Sequence, residues 1–188
     1  MSTTRALDQL QQVQELNRVF LDLLQERVRG QRGSLGLPPG AGQAIAIASG
    51  PLLDGVAGFP RALFYVDVGS QQRPTCPDAD FDEAEHHVCL SVLFAARHTS
   101  RQSTYQARLL FGFEAAEVER LRSALLPDLQ QLACTPGVLK CAFRERHWCW
   151  HGLFTATRPE LRRQLTLMAL QPGIALGWPL RRPAQPTA

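Results

Sequence analysis

The one metal-like cluster of side chains in this sequence lies toward its C-terminal end. It contains Cys141, His147, Cys149 and His151, in the spacing C-x5-H-x-C-x-H. Thiolate and imidazole are ligands of tetrahedral Zn²⁺. If His147 to Phe154 forms a strand, its last three ligands share one face, and Trp148 and Trp150 share the other. Same-face strand residues lie roughly 6 to 7 Å apart, too far for three in a row to hold one ion. The segment is therefore a weak zinc candidate, and a hairpin with its tryptophans in the core is favoured.

Other groups that could carry chemistry are less well placed. His86 and Cys89, three apart on a predicted helix, share a face, but Cys76 falls in a polar connector. A solvated helix face explains the histidines better than a site does. Cys134 lacks the glycine-rich elbow of a nucleophile, and GLPPGAG lacks the Lys-Ser/Thr ending of a phosphate loop. We therefore expect neither enzymatic activity nor a cofactor.

Composition is typical of a globular protein with one ordinary domain or two small ones. The 188 residues are 45% hydrophobic and 20% charged. No apolar run approaches the ~18 residues that a membrane span needs, so we expect no membrane partner. The start, MSTTRALDQLQQVQELN, has no apolar signal-peptide core, and the five cysteines are irregularly spaced. These features predict a cytoplasmic location.

The net charge of +3 conceals an asymmetry along the chain. From Gly137 onward there are eight Lys and Arg against two acidic residues, whereas the preceding part has 12 against 15. A basic end is one sign of a nucleic-acid-facing surface. However, 19 of the 20 cations are Arg, which GC-rich coding alone explains equally well.

Two segments of the chain repeat one another without a gap. Leu35 to Leu63 aligns with Phe111 to Leu139 at a spacing of 76 residues, with seven identities in 29 positions. Ordinary composition gives roughly two identities by chance. The matched pairs include Gly36 with Gly112 and Pro51 with Pro127. The spacing is too long for a solenoid unit, so we expect a duplicated small domain.

Hydrophobic periodicity predicts a mainly α fold made of two tandem small helical repeats. Each repeat has a long helix, a helix-turn-helix-like pair and a short β strand or hairpin. The predicted long helices are 4–30 and, capped by Asp80 or Asp82, 82–98; the predicted strands are 62–68, 138–144 and 147–154. We place the first repeat at 1–79, the second at 80–178 and a disordered tail at 179–188.

The second repeat resembles the FlhD family, the D subunit of the bacterial flagellar master transcriptional activator. The resemblance covers about 50 residues, VLFAARHTSRQSTYQARLLFGFEAAEVERLRSALLPDLQQLACTPGVLKCAFRE. It includes the L-x-G step, the L-P turn, the QQLA helix and an apolar strand with Cys then Phe-Arg. Family D subunits dimerise, join a zinc-binding C subunit and bind promoters. The resemblance thus implies a covalent pseudo-dimer with a C-subunit-like or other protein partner, able to self-associate, with DNA as a further candidate partner. It also places Cys141 at the family's intersubunit disulfide, although the first-repeat position is Tyr65.

Candidate binding residues follow from this plan. On the second short helix, Gln130 and Gln131 are candidates for reading bases, but the helix carries no cation for phosphate. Phosphate contacts would come from the basic end, at Arg144, Arg146, Arg158, Arg162 and Arg163. The first short helix is too apolar for one packing face, so Leu52, Val56 and Phe59 are candidates for partner contact or for burial within the chain.

Two functions are consistent with these features. The first is a transcription-regulatory subunit that acts through assembly with a partner protein, with DNA as a further candidate contact. The alternative is a protein-binding adaptor or assembly factor on the same fold that does not bind DNA. The apolar, cation-free short helices favour the adaptor.

Overall fold

The computed structural model describes residues 3–69, 82–143 and 147–155, together with residues 160, 163, 164 and 167. It is mainly helical, which confirms the predicted fold class at that level. The first half contains α1 (Thr3–Arg29), α2 (Ala41–Ile47), α3 (Gly50–Ala57) and β1 (Phe64–Val66). The predicted connector and tail lie outside the described residues, except for Gly69.

The second half also contains a long helix, short helices and a strand, and its described residues form two more helices than those of the first half. It contains α4 (Glu83–Gln102), α5 (Thr104–Phe111), α6 (Ala115–Ser123), α7 (Leu126–Ala133), β2 (Leu139–Cys141) and α8 (His147–Thr155). Asp82 caps α4 as predicted, because its carboxylate accepts from the backbone N–H groups of Ala84 and Glu85, both at 3.1 Å. Ser103 ends α4 and caps α5.

The two long helices run antiparallel and hold the molecule together. Gln9 near the start of α1 donates to Gln102 at the end of α4, and Arg27 near the end of α1 bonds to Glu85 at the start of α4. The inward face of α1 buries Val13, Phe20 and Leu24 because these residues recur at helical spacing. α1 packs on α2 and α3, while α4 packs on α6 and α7.

The two strands, one from each half, form a small antiparallel sheet. Phe64 lies opposite Cys141, Tyr65 opposite Lys140 and Val66 opposite Leu139. The backbone bond from Ala142 N to Leu63 O, at 2.8 Å, continues the pairing. The buried apolar side chains of both halves form one core around this sheet. The two halves therefore share a core.

Backbone geometry recurs at the 76-residue spacing found in the sequence. α3 begins at Gly50 and α7 at Leu126, and each has eight residues. Gly36 and Gly112 both adopt the left-handed region, at φ 74° and 76°. The residues that end α2 and α6, Ala48 and Ala124, have φ/ψ of −60°/135° and −58°/136°.

The prediction of a strand at His147 to Phe154 was wrong, because this segment is α8. Cys149, Trp150, Leu153 and Phe154 are buried on one side of the helix, which packs against α2 and α3. The indole N–H of Trp150 donates to the carbonyl of Ala142 at 2.6 Å. The helical spacing of these four apolar residues outweighs the period-two alternation of Trp148 and Trp150.

No helix in the described part of the chain is both long and apolar enough to cross a bilayer. Beyond α8, the described residues 160, 163, 164 and 167 are helical.

Candidate interaction surface

The candidate zinc ligands lie on two different elements of the structure, β2 and α8. Cys141 is buried on β2, with its Sγ 3.6 Å from the carbonyl of Ser34, and no disulfide joins it to another described residue. Cys149 is buried in α8 and His151 is exposed there, while the side chain of His147 lies outside the described set. Across the described residues, no three His, Cys, Asp or Glu side chains come close enough to hold one metal ion.

A second thiol lies beside an imidazole in a cleft of about 1220 Å³. Sγ of Cys134, at the end of α7, is 3.7 Å from Nδ1 of His86 on α4. Burial, with the nearby Glu85 and Cys134, raises the pKa of the Cys89 thiol to about 12. Cys134 itself is the residue that ends α7. The Cys134 thiol and the His86 imidazole therefore meet where α7 ends beside α4.

The same cleft contains an ion-pair network that joins the two halves. Nη1 of Arg27 lies 2.7 Å from Asp82 and 2.5 Å from Glu85. Burial raises the pKa of Glu85, and Arg27 opposes that shift. Because the arginine is already bonded to both carboxylates, its role here is to hold α1 against the start of α4.

The predicted partner residues of the first half belong mostly to the core. Val56 and Phe59 are buried, and the ring of Phe59 packs edge-on against Phe143 at 6.1 Å between centroids. Leu52 is half-buried against the same core. Of the two alternatives for these side chains, burial within the chain is the one observed for Val56 and Phe59, because packing takes up the apolar excess of α3.

The predicted DNA contacts are only partly within the described structure. Gln130 and Gln131 are both exposed on α7, and Arg163 is exposed in the helical segment beyond α8. The carboxylate of Asp128 accepts from the backbone N–H of Leu125 at 2.8 Å, so a negative group occupies the N-terminus of α7. Arg144, Arg146, Arg158 and Arg162 lie outside the described residues.

Two neighbouring leucines at the turn between α6 and α7 are the apolar residues that sequence reasoning missed. Leu125 is 63% exposed and Leu126 is 53% exposed. The residues at the same register in the first half are Ser49 and Gly50. The aligned repeats show this difference in the sequence, because polar or small residues of the first half are replaced by leucines in the second.

Two arginines of α4 lie against the C-terminal end of α6, immediately before these leucines. Nε of Arg97 donates to the carbonyl of Ala124 at 2.9 Å, and Nε of Arg101 donates to the carbonyl of Arg122 at 3.3 Å. Each guanidinium is thus fixed by one bond to the backbone. Among the described carboxylates, none forms an ion pair with Arg97 or Arg101.

An exposed aromatic ring on α4 lies beside these two arginines. Phe94, 38% exposed, lines a shallow groove of about 510 Å³ with Arg97 and Arg101, and Gln12 of α1 forms its other side. We call the set of five residues Phe94, Arg97, Arg101, Leu125 and Leu126 the turn surface. It combines apolar side chains with two positioned cations.

Comparisons of the chain with protein-family models, curated proteins and solved structures find no match. The turn surface is therefore interpreted from its own chemistry.

Proposed function

We propose that this protein is a regulatory assembly subunit that binds a partner protein through the turn surface. The observation that carries the proposal is the exposure of Leu125 and Leu126 side by side at the start of α7. Exposed apolar side chains that adjoin one another on a small protein mark an interface more often than isolated ones do. Since Val56 and Phe59 are buried, the partner contact moves from the first half to the second.

The proposed architecture is a covalent pseudo-dimer on the FlhD-like plan, with a helix-turn-helix-like pair in each half. The equal lengths of α3 and α7, their 76-residue spacing and the shared conformation of Gly36 and Gly112 support it. The antiparallel pairing of β1 with β2 also supports it, because a two-fold axis between the halves pairs such strands antiparallel. On this plan the two turns are equivalent sites, and only the second is apolar.

A protein-binding role is better supported than base reading by α7. The Asp128 carboxylate stands where a recognition helix would meet phosphate, and α7 carries no cation. DNA contact is the second candidate function, favoured by the position of Gln130 and Gln131 on the surface of α7. In that function Arg163 and the basic end of the chain would supply the phosphate contacts.

The test is affinity capture by the tagged full chain in its own cells, followed by mass spectrometry. The double variant Leu125→Asp/Leu126→Asp should lose the captured partner while its melting temperature and helical content stay near wild type, because both side chains are exposed. Ile47→Asp is the matched control, since Ile47 is 76% exposed at the end of α2, and it should keep the partner. A capture profile unchanged by the double variant contradicts the proposal.

The DNA candidate is tested by gel shift on genomic fragments with the full chain. Binding that falls steeply with salt and is lost in Gln130→Ala/Gln131→Ala would favour base reading by α7 over the adaptor function. If the chain does not bind these fragments at low salt, the adaptor is the candidate function that remains.

A further inference from the structure

We infer that the turn surface recognises an acidic amphipathic segment of its partner protein. The carboxylates of that segment would bind Arg97 and Arg101, and its apolar side chains would pack on Phe94, Leu125 and Leu126. The inference rests on the proposed function and deepens it by naming the chemistry of the partner. Helix-in-groove recognition uses an apolar face of this kind with charges at its edge.

Both arginines are positioned to bind a carboxylate. Their Nε atoms are bonded to backbone carbonyls, which fixes the plane of each guanidinium and leaves the Nη groups for a ligand. Arg101 is exposed and Arg97 is half-buried. Neither residue is among those with a buried nitrogen that lacks a hydrogen-bond partner. Arg18, Arg27 and Arg122, by contrast, each form an ion pair with a carboxylate of the chain. A fixed guanidinium binds carboxylate with less loss of side-chain entropy than a free one.

The positive charge at position 97 exceeds what the fold requires. In the first half, the carbonyl equivalent to that of Ala124 is the carbonyl of Ala48, and it accepts from the neutral amide of Gln25 at 3.0 Å. A neutral donor therefore suffices to bond this helix end. Cations also stabilise helix C-termini, so the test must separate the charge from the hydrogen bond.

The apolar part of the turn surface favours a protein segment over nucleic acid. Leu125 and Leu126 adjoin the Arg97 contact in sequence, and a phosphate backbone offers no apolar group to cover them. An acidic segment with leucine or phenylalanine side chains satisfies both the cations and the leucines.

The experiment measures fluorescence anisotropy of two labelled peptides with the full chain. Each peptide is an amphipathic helix of about four turns with a leucine face; one carries Glu on its polar face and the other carries Lys at the same positions. The Glu peptide should bind at least about tenfold more tightly at low salt, and the preference should shrink as salt rises. Equal affinities, or a preference for the Lys peptide, would overturn the inference.

The matched variant is Arg97→Gln/Arg101→Gln, in which glutamine can keep the carbonyl bonds as Gln25 does. Its melting temperature should match that of wild type, while its affinity for the Glu peptide falls about fivefold to tenfold. An unchanged affinity would refute the assignment. Displacement of the Glu peptide by duplex DNA at the same two arginines would identify nucleic acid as the occupant instead.

The same variant separates this inference from the proposed function. If Leu125→Asp/Leu126→Asp loses the partner in capture but Arg97→Gln/Arg101→Gln keeps it in full, the assembly function stands and the acidic-partner inference fails. If both variants keep the partner in full, the proposed function fails as well.

Discussion

At the scale of single residues, Asn17 shows how one polar side chain organises the first half. Its amide Nδ2 donates to the carbonyls of Ala57, Phe59 and Arg61 at 3.3, 3.3 and 3.0 Å, and its Oδ1 accepts from Leu63 N at 2.8 Å. The residue is fully buried in α1. It therefore ties the long helix to the chain between α3 and β1, where backbone groups have no regular partners.

Replacing Asn17 with leucine should destabilise the protein by about 3 kcal/mol, because several buried backbone groups lose their partner. The position 76 residues later is Leu93, which is buried without this role, so size and burial alone do not require a polar side chain. Urea unfolding measures the change. The control is Gln14→Leu, whose bond to the carbonyl of Gly58 is exposed and should matter by less than about 1 kcal/mol. Similar losses in both variants would contradict the role given to Asn17.

The sequence predicts these residue-level features poorly, for a physical reason. Helical periodicity places Asn17 between apolar positions but carries no information on which distant carbonyls it meets. The same limit applies to Val56 and Phe59. Their apolar character is visible in the sequence, but tertiary packing decides which face of α3 the rest of the chain covers. Leu125 and Leu126 were identifiable only by comparing the two repeats, since Ser49 and Gly50 stand at the equivalent positions.

At the scale of elements, local chemistry predicts most of the structure. The apolar spacing and the Asp82 cap place α1 and α4 within a few residues of their observed bounds. α8 is the exception, because in a segment of nine residues the alternation of two tryptophans is compatible with both a strand and a helix. Its helix is decided by burial of Trp150 and Phe154, four apart, on α2 and α3.

The left-handed conformation of Gly36 and Gly112, at φ 74° and 76°, leads to a prediction about the turns in which they lie. Gly112→Ala and Gly36→Ala should each cost about 1 to 2 kcal/mol, because a Cβ is strained in the left-handed region where these turns need it. Thermal unfolding of the two variants measures the effect. Gly50→Ala is the control, since a Cβ at this position, at the start of α3, would have no heavy atom within 4 Å, and it should be neutral or slightly stabilising. Equal melting temperatures for all three variants would contradict this.

At the scale of the whole molecule, contacts between the halves decide the fold. The 76-residue repeat in the sequence predicts two similar units, but not that their strands pair with each other. In the structure, β1 pairs with β2, and Phe64 packs against Phe20 of the first half and Phe111 of the second, at 5.7 and 6.3 Å between centroids. Pairings between residues so far apart in the chain depend on the assembled core, which no local pattern encodes.

This shared core predicts that neither half is stable alone and that the two halves reassemble. Residues 1–79 and 80–188, produced separately, should each show weak helical signal or self-association, because the strand of each half lacks its partner. Mixed together, they should form a one-to-one complex with the circular dichroism of the intact chain, as measured by light scattering and spectroscopy. Phe64→Ala should abolish reassembly, since loss of a core phenylalanine costs about 3 to 5 kcal/mol. Lys140→Ala is the matched control, because its pair with Asp67 is partly exposed and is worth less than about 1 kcal/mol. A half that folds as a stable monomer would show that the two repeats are independent domains.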